Sequence, residues 1–278
     1  MKTGRALMDE VLNTHPAPGE VCFWWLGQMG YLIRLGEVTL MIDAFLDADR
    51  SERLQPALIA PEDMRGIDYV MGTHDHDDHI DRKVWRVIAK VLPETKFIVP
   101  SVFVDDLSAD LGVTRERLIG ISEGKYAFEA DGLKIEGIAA AHETLDRDPQ
   151  TGEYPYTGYI ITGNGVKLYH SGDCVVYDGL EGKLLSKGPF DVAFLPINGR
   201  DGKRYRAGCI GNMTFQEAVC LVCAITPALS VPAHYDMFPG NTADPIDFTD
   251  YLEAKDPSLR YWIGGRGTRV RYVRGDAD

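Results

Sequence analysis

The sequence predicts an α/β fold that carries a divalent-metal site at a sheet edge. Three observations point there. Short apolar runs with strand character alternate with stretches whose apolar residues recur at helical spacing. The stretch Thr73-His74-Asp75-His76-Asp77-Asp78-His79-Ile80-Asp81 packs three histidines and four aspartates into nine residues. Finally, this stretch follows the apolar run 67–72 and precedes a helical pattern over 83–90, which makes it a strand-to-helix turn. Such turns set side chains at the carboxyl edge of a sheet, where α/β ligand sites collect. Imidazole and carboxylate at this density suit Zn²⁺ or Mn²⁺. A merely solvated acidic loop is the bland alternative, but H-x-H-x-D-H is not an accident of composition.

At 278 residues and 45% hydrophobic, the chain can bury one substantial core, or two sub-cores in a single globule spanning 1–278. It shows no apolar run of membrane-spanning length. Its start turns acidic before any signal-peptide core could form, so the expected location is cytoplasmic. Cys22, Cys174, Cys209, Cys220 and Cys223 are an odd count without a framework, which fits a reducing compartment. Cys220 and Cys223 have C-x-x-C spacing, but they lie in an apolar helical run with no second pair. Core packing is the expectation there. The net charge of −13 argues against nucleic-acid partners and leaves room for a local basic pocket. Homo-oligomerisation stays open.

In chain order, residues 21–26, 31–35 and 38–45 read as three strands joined by glycine turns. Asp43 leaves the third as a carboxylate expected to orient the histidine loop. Residues 96–100 form a strand, Ser101 is expected to cap a helix to Leu111, and 118–121 form another strand. Residues 126–130 and 133–140 pair across Asp131-Gly132, and the second runs into His142. A hairpin over 159–162 and 166–169 leads to His170-Ser171-Gly172-Asp173. His170 is still on the strand and reads as a core residue. Residues 178–187 are helical, and 191–197 form a strand that ends at Asn198-Gly199-Arg200. A polar loop, 201–212, carries Lys203, Arg204 and Arg206. Thr214 and Glu217 form a capping box for a helix to Ile225. A strand over 228–231 precedes His234. A helix over 246–255 and strands over 260–263 and 268–273 complete the chain.

The H-x-H-x-D-H stretch resembles the signature of the metallo-β-lactamase superfamily. His142, Asp173 and His234, each directly after an apolar strand, are similar to its later motifs. Trp25-Leu26-Gly27-Gln28-Met29-Gly30, Pro196-Ile197-Asn198-Gly199-Arg200 and Gly211-Asn212-Met213 look like the branch of L-ascorbate-6-phosphate lactonase-like enzymes. The resemblance implies a four-layer αββα sandwich. It also implies one ion site of His74, His76 and His142 and another of Asp78, His79 and His234, with Asp173 between them. One or two ions, Mn²⁺ or Zn²⁺, would be held there. Asp78 or Asp173 would orient the attacking water or take its proton. The implied reaction is hydrolysis of a small anionic substrate, a lactone of a phosphorylated sugar acid.

The residues agree with an anionic substrate. Arg200 and Arg206 lie on a basic loop in an acidic chain, and arginine suits a bidentate grip on phosphate or carboxylate. Gln28 and Asn198 are amides on expected sheet-edge turns and can bond substrate or backbone. A phosphodiesterase or nuclease on the same metal core is the competing reading, disfavoured by the acidic balance. A di-iron oxidoreductase would usually carry glutamate where His76 stands. A non-catalytic binding protein would be expected to have lost part of the ligand set.

Overall fold

Two sheets meet face to face, and one edge of the pair collects the ends of the strands that bear histidine and aspartate. The computed structural model describes residues 1–276. The chain opens with α1 (Gly4–Leu12), β1 (Glu20–Gly27), β2 (Gly30–Leu35) and β3 (Val38–Ile42). Then come β4 (Tyr69–Met71), α2 (Arg82–Val91), β5 (Lys96–Pro100), α3 (Val104–Leu111) and β6 (Leu118–Ile121). The second half runs β7 (Phe128–Ala130), β8 (Leu133–Ala139), β9 (Thr157–Gly163), β10 (Val166–His170) and α4 (Leu180–Lys187). It ends with β11 (Val192–Pro196), α5 (Gly202–Arg206), α6 (Phe215–Ile225), β12 (Leu229–Ala233), α7 (Pro245–Lys255) and β13 (Arg269–Val273).

The first sheet has the order β13-β1-β2-β3-β4-β5-β6, and the second β12-β11-β10-β9-β8-β7. From β3 to β6 the first sheet is parallel. In the second, β10, β11 and β12 are parallel, while β9 runs against both β8 and β10. Strands β8, β10, β11 and β12 therefore point the same way, and their ends deliver His142, Asp173, Asn198 and His234 to one edge.

Side-chain alternation builds the layers. Phe23, Trp25, Tyr31 and Ile33 face Ile135, Tyr159, Ile161 and Phe194 between the sheets. The alternate residues Trp24 and Leu32 pack outward with Leu7, Val11, Trp85 and Ile88 from the first helical layer. Ile160, Tyr169 and Leu195 pack outward with Leu184, Val222 and Phe248 from the second. This is the four-layer αββα sandwich. Among the described residues, no helix is long and apolar enough to cross a membrane.

Several boundaries differ from the sequence reading. Helix α1 was not foreseen, because its three buried residues, Leu7, Met8 and Val11, are too few to set a period. Ser101 does not cap a helix: it opens a single 3₁₀ turn, and its Oγ donates to Glu153 Oε2 at 2.5 Å. Strand β3 stops at Ile42 because Asp43 takes φ 46°. Residues 260–263 are not a strand. Tyr261 makes one isolated bridge to Ser230 before Gly264-Gly265 turns the chain away. Part of the polar loop 201–212 is helical, as α5, capped by Asp201. The Thr214–Glu217 capping box forms as read.

Buried Asp81 ties the histidine loop to the exit of β3. Its Oδ1 accepts from Val84 N at 3.1 Å and caps α2. Its Oδ2 accepts from Leu46 N at 3.1 Å and Asp47 N at 2.8 Å. Alanine there would remove the cap and leave the buried Leu46 amide and the half-buried Asp47 amide unpaired. Asp81→Ala should lower unfolding free energy by about 2–4 kcal/mol, whereas Asp81→Asn, which keeps acceptor oxygen, should lose less. Urea denaturation of the two variants checks this, and equal losses would contradict it.

Candidate metal centre

The histidine loop is wired in place by a carboxylate of the neighbouring strand. Asp43 is fully buried. Its Oδ1 accepts from Thr73 N at 2.9 Å, and its Oδ2 accepts from Thr73 Oγ1 at 2.7 Å and faces His79 Nδ1 at 2.8 Å. An ionised Asp43 accepts the Nδ1 proton, so Nε2 of His79 is left as a lone pair directed away from the carboxylate. That nitrogen lies 3.2 Å from Asp173 Oδ1, yet neither atom makes an aligned hydrogen bond. Once the ring gives up a proton, its lone pair and the carboxylate oxygen converge as a cation's coordination sphere requires.

The structure brings all seven expected residues together. Ligand atoms of His74, His76 and His142 lie within 4.8 Å of one another, as do those of His74, His79 and Asp173 and those of Asp78, His79 and His234. His142 Nδ1 is also buried without a hydrogen-bond partner. Nitrogen and carboxylate oxygen in these numbers fit a borderline or hard divalent ion. The backbone is bent to achieve this: Gln28, Asp43, Glu143 and His234 all have positive φ, between 46° and 73°. Four non-glycine residues in that region around one centre mark strain held for function. Gly172 is needed for a different reason. A Cβ there would sit 2.7 Å from Thr73 Oγ1, so only glycine lets Asp173 approach the loop.

Electrostatics divide the histidines. Burial holds His74 well below the usual imidazole range, and burial takes His142 down to about 4. Burial also opposes charge on His79 and His234, but carboxylates outweigh it. Asp173, Asp43 and Asp78 push His79 well up, and Asp173 and Asp78 raise His234 to about 10. Asp78 and Asp173 resist burial in turn, held below the usual carboxylate range by His79 and His234. His170 lies apart from the centre. Its Nδ1 accepts from Gly172 N at 3.2 Å while Nε2 donates to Met29 O at 2.8 Å, which satisfies both ring nitrogens in the core.

Residues 39–235 match the model of the β-lactamase superfamily domain. The chain belongs to the metallo-β-lactamase superfamily. It is 32% identical to the UPF0173 metal-dependent hydrolase of Thermococcus onnurineus, over 81% of this chain and 88% of that protein. It is 27% identical to the Salmonella choleraesuis protein named "Probable L-ascorbate-6-phosphate lactonase UlaG", over 95% of this chain and 85% of that one. The solved structure of Igni18, a metallo hydrolase from Ignicoccus hospitalis, superposes with a TM-score of 0.69 at 24% identity and covers 91% of this chain and 98% of its own. That likeness shows the fold. Membership makes the protein a metal-dependent hydrolase, with a His/Asp cluster able to hold the metal.

A cavity of about 230 Å³ opens over the centre. His76, Asp78, His142, Asp173 and His234 form its floor, and Gly208, Cys209, Ile210, Phe238 and Asn241 form its roof. No lysine or arginine lines it. Of the residues expected to bind substrate, none lines this cavity. Arg200 is engaged elsewhere: its Nη1 and Nη2 donate to Glu217 at 2.5 and 2.6 Å, and Nη1 also to Asn212 O. The capping-box glutamate captures it because a fixed carboxylate a few ångströms away outcompetes water for a planar guanidinium. Asn198 is spent on other amides, donating to Asn241 Oδ1 at 2.8 Å and accepting from Asn212 Nδ2 at 3.2 Å. Gln28 is fully buried beneath the floor. Arg206 is exposed on α5 and makes no hydrogen bond or ion pair among the described residues.

The sequence reading missed the roof. Asn241 and Phe238 lie in an irregular stretch after His234 that carries no periodic signal. Tyr156, whose ring centroid is 5.2 Å from those of His74 and His142, gave no signal either. Arg204 belongs to the basic loop. It is in fact a strap, donating to Gly240 O at 3.1 Å and Thr242 O at 2.9 Å.

The carboxylates favour protonation of His79 and His234, so an ion competes with protons for both rings. Folded-state pKa values raised in this way mean that metal affinity rises with pH and falls as pH is lowered. Between about pH 9 and pH 6, affinity should drop at least about tenfold per unit. Calorimetry in buffers of different ionisation heat should register about one to two protons released per protein on Zn²⁺ binding. Uptake without proton release would contradict the assignment.

Proposed function

We propose that this protein opens a small lactone of the sugar-acid class that carries an anionic group such as phosphate. The observation that carries the reading is the small cavity, about 230 Å³, set directly over converging histidine and aspartate ligands. That volume lies below the usual range for drug-sized ligands, so a compact substrate is favoured. The Salmonella relative named as a probable lactonase, similar over most of both chains, suggests the lactone class.

A divalent ion in this centre supplies Lewis-acid polarisation of the ester carbonyl and lowers the pKa of a bound water. The chain's own groups do the rest. Asp78 and Asp173 line the cavity and are held ionised by their histidine neighbours. Either carboxylate can orient a water or take its proton. Asp43 keeps His79 in the tautomer whose Nε2 faces the centre. Ile210 and Phe238 give the cavity an apolar part opposite its ligands.

The anion would be recognised at the rim, with Mn²⁺ or Zn²⁺ supplying positive charge at the floor. Arg200 is bound to Glu217, so the cations available on the loop are Arg206 and Lys203, whose side chains make no hydrogen bond or ion pair among the described residues. A phosphodiesterase or nuclease reading has less support, because the chain's net charge of −13 disfavours a nucleic-acid partner. A cytoplasmic location suits an enzyme of phosphorylated intermediates and remains part of this proposal.

The test is a substrate panel on metal-loaded protein: phosphorylated sugar-acid lactones, their unphosphorylated counterparts and bis(p-nitrophenyl) phosphate. The phosphorylated lactone should give the highest kcat/KM, by about tenfold or more. Arg206→Ala should narrow that preference by about three- to tenfold, a modest figure because a rim contact stays solvated. Arg200→Ala should instead affect all substrates equally, through the loop it anchors. Faster turnover of the phosphodiester than of every lactone would overturn the proposal.

A further inference from the structure

The turn between β1 and β2 carries more bonds than a two-residue loop needs. Gln28 sits at φ 51°. Its backbone carbonyl accepts from Trp25 Nε1 at 2.9 Å and from His234 N at 3.0 Å. Its backbone N–H donates to Asp236 Oδ1 at 2.9 Å. Asp236 in turn lies 3.6 Å from Arg266 Nε, and Arg266 is fixed by bonds to Pro56 O at 2.8 Å and Gln55 Oε1 at 3.1 Å. The peptide of Gln28 is thus locked from three sides, and one lock is the backbone of His234 itself.

The side chain uses that rigidity. Gln28 Nε2 donates to Asp78 Oδ2 at 3.2 Å and lies 3.4 and 3.5 Å from the ring nitrogens of His234. Its Oε1 is buried with no partner. An unpaired buried amide oxygen costs free energy, so the orientation is held by what Nε2 gains. The residue is fully buried and does not line the cavity. It therefore touches two residues of one ligand group, Asp78 and His234 of the Asp78–His79–His234 set, and no substrate.

We infer that Gln28 is a positioning residue that sets the geometry of Asp78 and His234 as metal ligands, with Asp236 and Arg266 as its brace. The other ligand group, His74, His76 and His142, does not contact Gln28 and stands outside its influence. The inference rests on the metal-dependent hydrolase assignment but is independent of the lactone reading. It also replaces the expectation that Gln28 binds substrate. Partners that orient metal ligands typically matter about 10–100-fold in metal affinity.

The experiment is a competition between a chromophoric chelator and metal-free protein for Zn²⁺, with thermal unfolding of the metal-free protein as control. Gln28→Met keeps length and removes the donor. Gln28→Asn keeps an amide one methylene short, and asparagine tolerates positive φ best among non-glycine residues, so it guards against a folding failure. Asp236→Ala removes the brace alone. In both Gln28 variants, Zn²⁺ affinity should fall about tenfold or more with the metal-free Tm little changed, and kcat should fall with KM nearly constant. Asp236→Ala should lose affinity in the same direction to a smaller extent. Unchanged Zn²⁺ affinity with a raised KM would make Gln28 a substrate contact and overturn the inference. A large Tm loss in Gln28→Asn would make it a purely structural turn residue and overturn it equally. Failure of the unaltered protein to bind Zn²⁺ would count against the metal assignment itself and is read separately.

Discussion

Everything at the site depends on a carboxylate that is never seen by solvent. Asp43 has no lysine or arginine beside it. Its charge is met by the amide and hydroxyl of Thr73 and by a ring nitrogen of His79. A buried charge is tolerated only when its lone pairs are filled, so these contacts leave Thr73 and His79 little freedom. Thr73 then becomes the point at which the two sheets meet. Its carbonyl accepts from Thr157 N of β9 at 3.0 Å, and the preceding Gly72 carbonyl accepts from Tyr159 Oη at 2.8 Å. Gly172 passes against its side chain, with no room for a Cβ. One carboxylate on the first sheet thereby sets how the second sheet presents Asp173.

The same arrangement explains why an acidic chain builds a cation site without surplus basic residues. Four histidines of the cluster are pushed by their surroundings in opposite senses. Burial keeps His74 and His142 uncharged, while the carboxylates keep His79 and His234 charged in the absence of metal. An ion exchanges those two protons for itself. The carboxylates that stabilise the protonated histidines are the ones that stabilise the ion, so the folded protein needs little rearrangement between the two states.

Much of the floor was legible in the sequence because its signals are local. A histidine or aspartate placed directly after a buried strand is visible from a few residues, as at His142, Asp173 and His234, and the dense run at 74–79 is visible on its own. The αββα layering followed from the family resemblance. What stayed hidden depends on distant partners. Arg200 stood at a strand end on a basic loop, and nothing nearby in sequence marked Glu217, already recognised as a helix cap, as its partner. Ser101 had the chemistry of a cap but found Glu153 across the fold. Residues 260–263 had strand composition, yet only Tyr261 reaches a neighbour. Helix α1 is too short for its period to show.

Floor and roof differ in how they are held, and this sets what likeness to relatives can carry. The floor comes from strand ends and from the histidine loop, which Asp43 and Asp81 tie down. The roof comes from two loops, 201–212 and 236–244, joined to each other by Arg204, which donates to the carbonyls of Gly240 and Thr242. Substitution in such loops moves the roof without disturbing the ladders beneath. Chains that are 27–32% identical can therefore share the metal chemistry while their roofs diverge. Reaction class is a property of the floor, and substrate choice is a property of the roof. Asn198, at the end of β11, holds Asn241 at the cavity, so a change on that strand end would reach the roof.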